Sequence, residues 1–220
     1  LVVVLQSGET ILTERMRKKG VDLRILGKRP GLDLSVFRRL AAIMRDFQPD
    51  VVHSHLPILQ YVVPAARKAH VGNLVHTVHN MAEKETSSNL KRLLSRRYYR
   101  NGSVVPVALS EVTKRSIEDV YGLDASQVAI VANGIDLEAY EPKRDYSLSV
   151  PTRICHIGRF EEQKNHAALV DAAAQLKADG FDAVFDLYGV GSLMEEIKGA
   201  VAKKGLEGEF SFHGLTDNVP

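Results

Sequence analysis

The sequence has little of several features that mark particular protein classes. It contains a single cysteine, Cys155, which excludes an internal disulfide and fits a reducing compartment. It has no apolar run near ~18 residues, so no transmembrane helix is expected. The net charge is only +2, which is too small by itself to indicate a nucleic-acid partner. With 45% hydrophobic and 25% charged residues, the composition is that of a soluble globular protein, and we expect it in the cytoplasm.

The two ends of the sequence are unusual. Leu1 opens inside a predicted strand without an initiator methionine, and Pro220 follows directly after another strand and loop. We therefore expect the chain to be a fragment of a longer protein.

Short β-branched runs alternate with amphipathic stretches along the chain, which is typical of βαβ units around a parallel sheet. Residues 34–47 have the helical pattern, because apolar side chains recur there at helical spacing. The apolar run at 104–109 predicts a strand buried on both faces, as parallel sheets require. The predicted strands of this first series are 2–5, 22–26, 51–53, 74–77, 104–109 and 128–131. The sequence thus predicts an α/β fold.

A polar stretch separates this series from a second one. Residues 142–151 begin and end in proline and lack periodicity, so we interpret them as an interdomain linker. The predicted domains are therefore 1–141 and 152–220. The second series contains predicted strands 153–157, 183–188 and 210–213 and predicted helices 166–177 and 193–203. We expect this second domain to be incomplete.

Residues 158–165 predict an anion site. A strand that ends in Gly158 and then opens a helix leaves backbone N–H groups free at the positive end of the helix dipole. Arg159 offers a planar fork for phosphate oxygens, and Lys164 adds a mobile point charge. The pattern therefore indicates a phosphate or diphosphate ligand.

Histidines end two neighbouring predicted strands. Ligands of open α/β sheets bind at the carboxyl ends of the strands, so His53 and His55 lie where a site is expected. Their i, i+2 spacing would suit two metal ligands, but no carboxylate or cysteine cluster completes a set, and a structural role is favoured for at least one of them. His79 is either a substrate-facing residue or a capping imidazole bonded to a loop carbonyl. By alternation, His76 points to the face opposite His79.

A second glycine-rich loop opens a helix in the predicted second domain. Gly189 and Gly191 would allow a ligand to approach the backbone closely. As a dinucleotide-binding fingerprint the pattern fails, because the third glycine would fall at Met194. This argues against an NAD-dependent oxidoreductase. His213 and Gly214 end the next strand on the same side.

Other residues have simple local interpretations. Ser110 is a predicted helix N-cap, with Glu111 in the first turn complementing the helix dipole. Asn133 and Gly134 favour positive φ and predict a tight turn, with a ligand contact at Asn133 as the alternative. Cys155 lies in mid-strand and is expected to be a small buried core residue.

The segment 84–100 is basic and amphipathic. Leucines and tyrosines are interleaved with the cations, so the segment could be a helix that meets an anionic membrane surface. A solvated helix face is the simpler interpretation. Its basic residues are Lys84, Lys91, Arg92, Arg96, Arg97 and Arg100.

Taken together, these motifs resemble the retaining glycosyltransferases of family four, which have the two-domain GT-B fold. The resemblance runs along nearly all 220 residues, and its specificity comes from the order of segments that are weak individually. The matching segments are Pro-Asp-Val-Val-His-Ser-His at 49–55, His-Thr-Val-His-Asn at 76–80, Val-Ala-Leu-Ser-Glu at 107–111, Asn-Gly-Ile-Asp at 133–136, and Gly-Arg at 158–159 with Lys-Asn at 164–165.

The resemblance implies two Rossmann-like domains with parallel sheets, and sugar transfer from a nucleotide-diphospho-sugar with retention at the anomeric carbon. The donor would lie against the C-terminal domain and face an acceptor held by the N-terminal domain. The residues that match Arg159 and Lys164 clasp the donor diphosphate and stabilise charge on the leaving group. They replace a metal, so no metal or other cofactor is expected. His79 matches the histidine beside the transferred sugar, and these three are the predicted catalytic residues.

The remaining candidate residues belong to the two sides of the implied crevice. The donor side, near the nucleotide, comprises Gly189, Gly191, His213 and Gly214. The acceptor side comprises His53, His55, Asn80 and Asn133. The acceptor stays open between a lipid carrier, a growing polysaccharide, a small metabolite and a protein. Peripheral contact with the inner face of a membrane through 84–100 is a further expectation.

Two pieces of the family pattern are absent. The glycine-rich loop after the first strand would precede Leu1, and the Glu-x7-Glu motif would follow Pro220. We therefore expect residues 1–220 alone to be inactive. A non-catalytic nucleotide- or sugar-binding module of the same fold is the alternative function, and the presence of both Arg159 and Lys164 argues against it.

Overall fold

The computed structural model describes residues 1–6, 8–140 and 142–216. The chain divides into two compact units, Leu1–Gly134 and Ile135–Pro220. The predicted end of the first domain at 141 and the last predicted residues of the second domain, 217–220, lie outside the described residues.

Strands and helices alternate in both units. The first unit contains β1 (Val2–Val4), α1 (Ile11–Lys18), β2 (Leu23–Ile25), α2 (Leu34–Phe47), β3 (Val51–His55), α3 (Leu59–Lys68), β4 (Asn73–Val78), α4 (Ala82–Glu85), α5 (Asn89–Arg100), β5 (Val105–Ala108), α6 (Glu111–Tyr121) and β6 (Ala129–Ile130). The second contains β7 (Thr152–Ile157), α7 (His166–Ala178), β8 (Ala183–Tyr188), α8 (Met194–Lys203) and β9 (Phe210–Gly214).

All strand pairs in the described parts of the chain are parallel. In the first unit β1 pairs with β2, and a separate four-stranded sheet has the order β3-β4-β5-β6. In the second unit the order is β7-β8-β9. The predicted α/β architecture with parallel sheets is therefore confirmed.

The helices begin and end where local chemistry dictates. Asp33 caps α2 by accepting from the Ser35 amide. Ser110 caps α6 by accepting from the Thr113 amide, which confirms the predicted N-cap. Gly122 ends that helix in the left-handed conformation at φ 64. In the part of the chain that the structure describes, no helix is both long and apolar enough to cross a membrane.

The core of the first unit lies between its helices and the four-stranded sheet. Helix α3 packs against both α2 and α5. The apolar side chains that recur along α2, Val36, Leu40 and Met44, are buried. Tyr99 and Tyr121 pack edge to face with ring centroids 5.0 Å apart. Burial of each such large side chain contributes about 1.5–3 kcal/mol.

The core of the second unit is smaller and aromatic. Phe185 of β8 and Phe210 of β9 are register partners, and their rings stack with centroids 4.8 Å apart. Leu187 and Val170 complete the contact between the sheet and α7. Phe160, from the predicted anion loop, is fully buried in this core. The loop is therefore anchored by a side chain that points away from its cations.

The structure corrects three expectations. Strand β3 continues to His55, because the β3–β4 pairing extends to the register pair His55 and Thr77. Cys155 is exposed and not buried. It shares a face of β7 with the exposed Arg153 and Ile157, because alternate residues of a strand point to opposite faces.

The third correction concerns the predicted turn at Asn133 and Gly134. Neither residue has the positive φ expected of an Asn-Gly turn. The preceding strand β6 is limited to Ala129 and Ile130 and leaves Asn133 in an exposed, extended segment.

Candidate functional site

Three of the predicted site histidines lie together in the first unit. On one face of β3 and β4, Nε2 of His53 is 2.8 Å from Oγ1 of Thr77. Nδ1 of His55 is 2.9 Å from Nε2 of His79, which follows the end of β4. The His53 and His55 rings lie 4.4 Å apart. We call His53, His55, Thr77 and His79 the histidine layer; it assembles because parallel strands bring equivalent residues to one edge.

The electrostatics of the layer favour neutral rings at His53 and His55. Partial burial of the ring lowers the pKa of His53, and the nearby His76 and His79 lower it further. Partial burial likewise lowers the pKa of His55, followed by the effects of His53, His79 and His76. In the His55–His79 contact one ring nitrogen donates and the other accepts. His79 thus has a side-chain partner and does not cap a carbonyl through Nε2.

The other acceptor-side candidates are less well placed. Asn80 is exposed and directly follows His79, so it lies beside the layer. Asn133 is also exposed, but no described contact joins it to the histidines. Among the described residues, no group of three or more histidine, cysteine, aspartate or glutamate side chains is arranged to hold a metal ion.

The predicted anion loop of the second unit is built on backbone contacts. The Gly158 amide donates to the Tyr188 carbonyl at 2.9 Å, and the Phe160 amide donates to the Val190 carbonyl at 3.1 Å. These bonds continue the β7–β8 pairing beyond the ends of both strands. Residues 158–160 therefore lie directly against the second glycine-rich loop.

The two glycines of the second loop are required by this contact. A Cβ atom on Gly189, which has a φ of +134, would collide with the Gly158 carbonyl. A Cβ atom on Gly191 would collide with the Phe160 backbone. The sequence suggested that these glycines admit a ligand, whereas the space beside them is filled by the backbone of the anion loop. Their role in the structure is to hold that loop.

Arg159 and Lys164 present free cations on the supported loop. Both side chains are exposed, and within the described ranges neither has a hydrogen bond or an ion pair. The Lys164 stem runs beside Gly158, at 3.4 Å from the position of a Cβ there. Asn165 precedes α7 with a left-handed φ of 50 and makes no side-chain cap, so the first N–H groups of α7 stay available. The geometry suits an anion.

Two histidines beneath the loop were missed by sequence reasoning. The His166 ring stacks on Phe160 at 4.1 Å and meets His156 edge to face at 4.7 Å. Nε2 of His156 and both ring nitrogens of His166 are buried without a partner in the described chain. Burial lowers the pKa of His166, and His156 and Lys164 lower it further. The sequence signal that could have indicated this pair is the position of His166 in the first turn of the helix after the anion loop.

His213 is held by a charged network across the second sheet. Its Nε2 lies 2.7 Å from Oδ1 of Asp186, and its ring stacks on Tyr188 at 4.5 Å. Arg153 donates to Oδ2 of Asp186 at 2.6 and 3.1 Å. The hydrogen bond from His213, followed by that from Arg153, lowers the pKa of Asp186. Gly214 joins the glycine loop, since its carbonyl accepts from the Gly189 amide at 2.7 Å.

Comparison with known proteins identifies the family. A model described as glycosyltransferase family 4 matches residues 1–139. The chain is 29% identical over 181 residues to EpsF of Bacillus subtilis, which is named as a glycosyltransferase; the match covers 76% of this chain and 47% of EpsF. It is 26% identical over 184 residues to the Escherichia coli UDP-Gal:alpha-D-GlcNAc-diphosphoundecaprenol alpha-1,3-galactosyltransferase, with coverage of 76% and 47%. The chain spans about half the length of the curated relatives it matches.

Solved structures share the fold. Anabaena Alr3699/HepE, determined in complex with UDP and glucose, superimposes with a TM-score of 0.75 at 16% identity, covering 98% of this chain and 62% of that one. A glycosyltransferase from Rickettsia africae gives a TM-score of 0.73 at 18% identity, with coverage of 98% and 60%. This likeness confirms the predicted GT-B type of α/β fold with Rossmann-like units. The chain belongs to glycosyltransferase family 4.

Proposed function

We propose that the chain is part of a retaining glycosyltransferase that moves a sugar from a nucleotide-diphospho-sugar to an acceptor hydroxyl. The observation that carries the proposal is the pair of exposed cations, Arg159 and Lys164, which have no side-chain partner among the described residues and lie at the open start of α7. A helix start with free N–H groups and two cations is matched to a diphosphate.

The proposed chemistry uses these cations on the leaving group. When the bond between the anomeric carbon and the diphosphate oxygen breaks, its electron pair stays with the diphosphate. Arg159 and Lys164 stabilise that charge, the acceptor oxygen bonds to the anomeric carbon, and the proton of the acceptor hydroxyl passes to the departing diphosphate oxygen. Fixed charges aimed at developing charge are usually the largest catalytic contribution. No metal or other cofactor is required in this proposal.

The proposed role of the first unit is to contact the transferred sugar through His79. The 2.9 Å bond to His55 orients the His79 ring before any substrate binds. Preorganised side chains lower the cost of reaching the reactive geometry. His53, Asn80 and Asn133 remain proposed acceptor-side residues. Gly189, Gly191, His213 and Gly214 are proposed to support the donor side near the nucleotide.

Uridine nucleotides are the first donors to test. One relative is named for UDP-Gal, and two solved structures with this fold are complexes with UDP and glucose or with UDP-glucose. In a thermal-shift screen of the full-length protein against UDP, GDP, ADP and their sugars, the matching nucleotide should raise the unfolding temperature. A ligand at about 100 times its Kd stabilises the native state by about 2.7 kcal/mol. No shift with any of them would contradict a nucleotide-sugar transferase.

We further propose that α5 contacts a membrane, which suits a lipid-linked acceptor. The exposed side of α5 combines Leu90 and Leu93, at 65% and 63% exposure, with Arg96, Arg97 and Arg100. Apolar side chains followed by cations fit a surface of anionic lipids. Binding to vesicles that contain phosphatidylglycerol should weaken as salt rises and on Leu90→Ser with Leu93→Ser. If neither higher salt nor the double substitution changes the binding, the exposed side of α5 is a solvated helix face and not a membrane contact.

The alternative function, a non-catalytic sugar- or nucleotide-binding module, predicts the same thermal shift. It differs in predicting that the full-length protein binds a nucleotide-sugar without consuming it in the presence of an acceptor.

A further inference from the structure

A buried hydrogen-bond network lies on the face of β3 and β4 opposite the histidine layer. His76 is only 1% exposed, and both of its ring nitrogens have partners. Nδ1 lies 2.8 Å from Oγ of Ser54, its register partner on β3. Nε2 lies 3.0 Å from Oε1 of Glu85. The second carboxylate oxygen of Glu85 accepts from the Tyr121 hydroxyl at 3.1 Å.

Every side chain of this network has a hydrogen-bond partner. The Tyr121 hydroxyl donates to Glu85. A proton must also lie between Nε2 of His76 and Glu85, because two lone pairs cannot form a hydrogen bond. The Ser54 hydroxyl lies 3.2 Å from the Val75 carbonyl oxygen and 2.8 Å from Nδ1 of His76. Both ring nitrogens of His76 are therefore satisfied.

Glu85 belongs to the segment that leads from His79 to α5. We call residues 80–88 the connecting segment. Its Ala82 amide donates to Oγ of Ser116 at 2.6 Å, and the Ser116 hydroxyl donates to Glu83 at 2.7 Å. Arg92 of α5 donates to the carbonyls of Glu83 and Thr86 at 3.2 and 3.0 Å.

These contacts attach the connecting segment to three elements. Ser116 and Tyr121 attach it to α6, Arg92 attaches it to α5, and His76 attaches it to β4. Among the described residues, the side-chain hydrogen bond that joins the segment to β4 is that between His76 and Glu85, and it lies immediately behind the strand end that carries His79.

We propose that His76 and Glu85 are positioning residues for His79. Their contact fixes the connecting segment against β4, and so fixes both the backbone that presents His79 and the start of α5. The inference rests on the proposed function, because it assumes that His79 contacts the transferred sugar.

Two variants of the full-length protein separate position from charge. Glu85→Gln keeps the side-chain length; its amide can donate to Nε2 of His76, and its oxygen can accept from Tyr121. Glu85→Asp keeps the charge but is too short to reach both partners from the same backbone. Glu83→Gln is the matched control on the same short helix, because Glu83 bonds Ser116 and touches no histidine.

The expected result is that Glu85→Gln and Glu83→Gln turn over close to wild type. Glu85→Asp should lower kcat by about 10- to 100-fold with an unchanged donor KM, as small misplacements of reacting groups do. In the same samples the imidazole resonances of His79 should shift in Glu85→Asp and stay in place in the two glutamine variants. Far-UV circular dichroism and a thermal melt establish that each variant is folded at the assay temperature.

Two results would overturn the inference. If Glu85→Gln loses as much turnover as Glu85→Asp, keeping the side-chain length does not preserve turnover, and positioning by the His76–Glu85 contact is not sufficient to explain the role of Glu85. If Glu85→Asp leaves the His79 resonances unchanged, the contact does not position His79. This second result is independent of donor chemistry, whereas failure of the wild-type protein to bind any nucleotide would contradict the proposed function alone.

Discussion

The histidines of the first site and the His156–His166 pair of the second unit are held in opposite ways. In the first unit, the rings of His53, His55, His76 and His79 are each tied to a neighbour by a side-chain hydrogen bond. In the second unit, the rings of His156 and His166 meet edge to face, and three of their ring nitrogens are buried without a described partner. Side chains order the first site, whereas backbone contacts and two glycines order the second.

This difference indicates a division of labour between the units. The histidine layer is held together by side-chain hydrogen bonds, so its imidazoles have a fixed arrangement. The anion loop is also fixed, but its two cations are left unpaired on top of it. If the two cations were paired with acidic side chains of the protein, a ligand would have to displace those side chains before it could bind. Unpaired cations therefore suit binding, and paired histidines suit positioning.

The strongest way to test this division is to remove a cation. Arg159→Ala or Lys164→Ala should each lower the transfer rate of the full-length enzyme by about 10²–10³, because one preorganised charge-stabilising donor is lost. Lys203→Ala is a matched control, since Lys203 is exposed on α8 and makes no described contact. Steady-state kinetics measure the effect. Losses below about tenfold for both variants would refute the diphosphate clasp.

Removal of His79 tests the first unit. His79→Ala should lower turnover by about 10- to 100-fold without unfolding the protein, because an oriented contact to the sugar is lost. His70→Asn serves as the control, since His70 lies on the same unit at a left-handed φ of 59, which asparagine tolerates. Kinetics identical to wild type would leave His79 with a local structural role only.

A side chain on the glycine loop tests whether backbone contact orders the second site. Gly189→Ala should lower the free energy of unfolding by about 1–3 kcal/mol, because its methyl group would collide with the Gly158 carbonyl. Gly199→Ala in α8 meets nothing within 4 Å and should be neutral or stabilising. Denaturant unfolding compares the two. Equal stability of both variants would show that the loops are not in contact.

The smallest expected effect concerns His166. Since the folded state lowers its pKa below that of the unfolded chain, the unfolded state binds more protons, and stability falls as pH drops below about 6.5. The slope from one such group is at most about 1.4 kcal/mol per pH unit. His166→Leu should flatten this acid dependence between pH 7 and pH 5. An unchanged pH profile of unfolding would contradict a buried neutral imidazole.

The sequence predicted the bounds of the helices and strands better than the burial of their side chains. The bounds of α2 and β8 were correct, because apolar periodicity and short apolar runs are local signals. The exposure of Cys155 was predicted wrongly, since a strand residue is buried only where another element covers its face. The hydrophobicity of the strand's own residues does not show whether another element packs against that face.

The candidate site was predictable in part for a similar reason. Parallel strands bring His53, His55 and His79 to one edge, so strand ends alone indicate them. The His76–Glu85 contact was not foreseen, because Glu85 lies in a four-residue helix whose place depends on tertiary packing. Gly189 and Gly191 were correctly predicted to allow a close approach to the backbone, but the group that approaches them is the backbone of the anion loop and not a ligand.

The central claim is that Arg159 and Lys164 are left unpaired to hold a nucleoside diphosphate. Isothermal titration of UDP, or of whichever diphosphate the thermal-shift screen selects, into the full-length wild type, Arg159→Ala, Lys164→Ala and Lys203→Ala measures this directly. Each of the first two substitutions should weaken Kd by about tenfold or more, since a charge-assisted hydrogen bond contributes about 1.5–3 kcal/mol. Lys203→Ala should bind as wild type. Equal affinity in all four proteins would contradict the account.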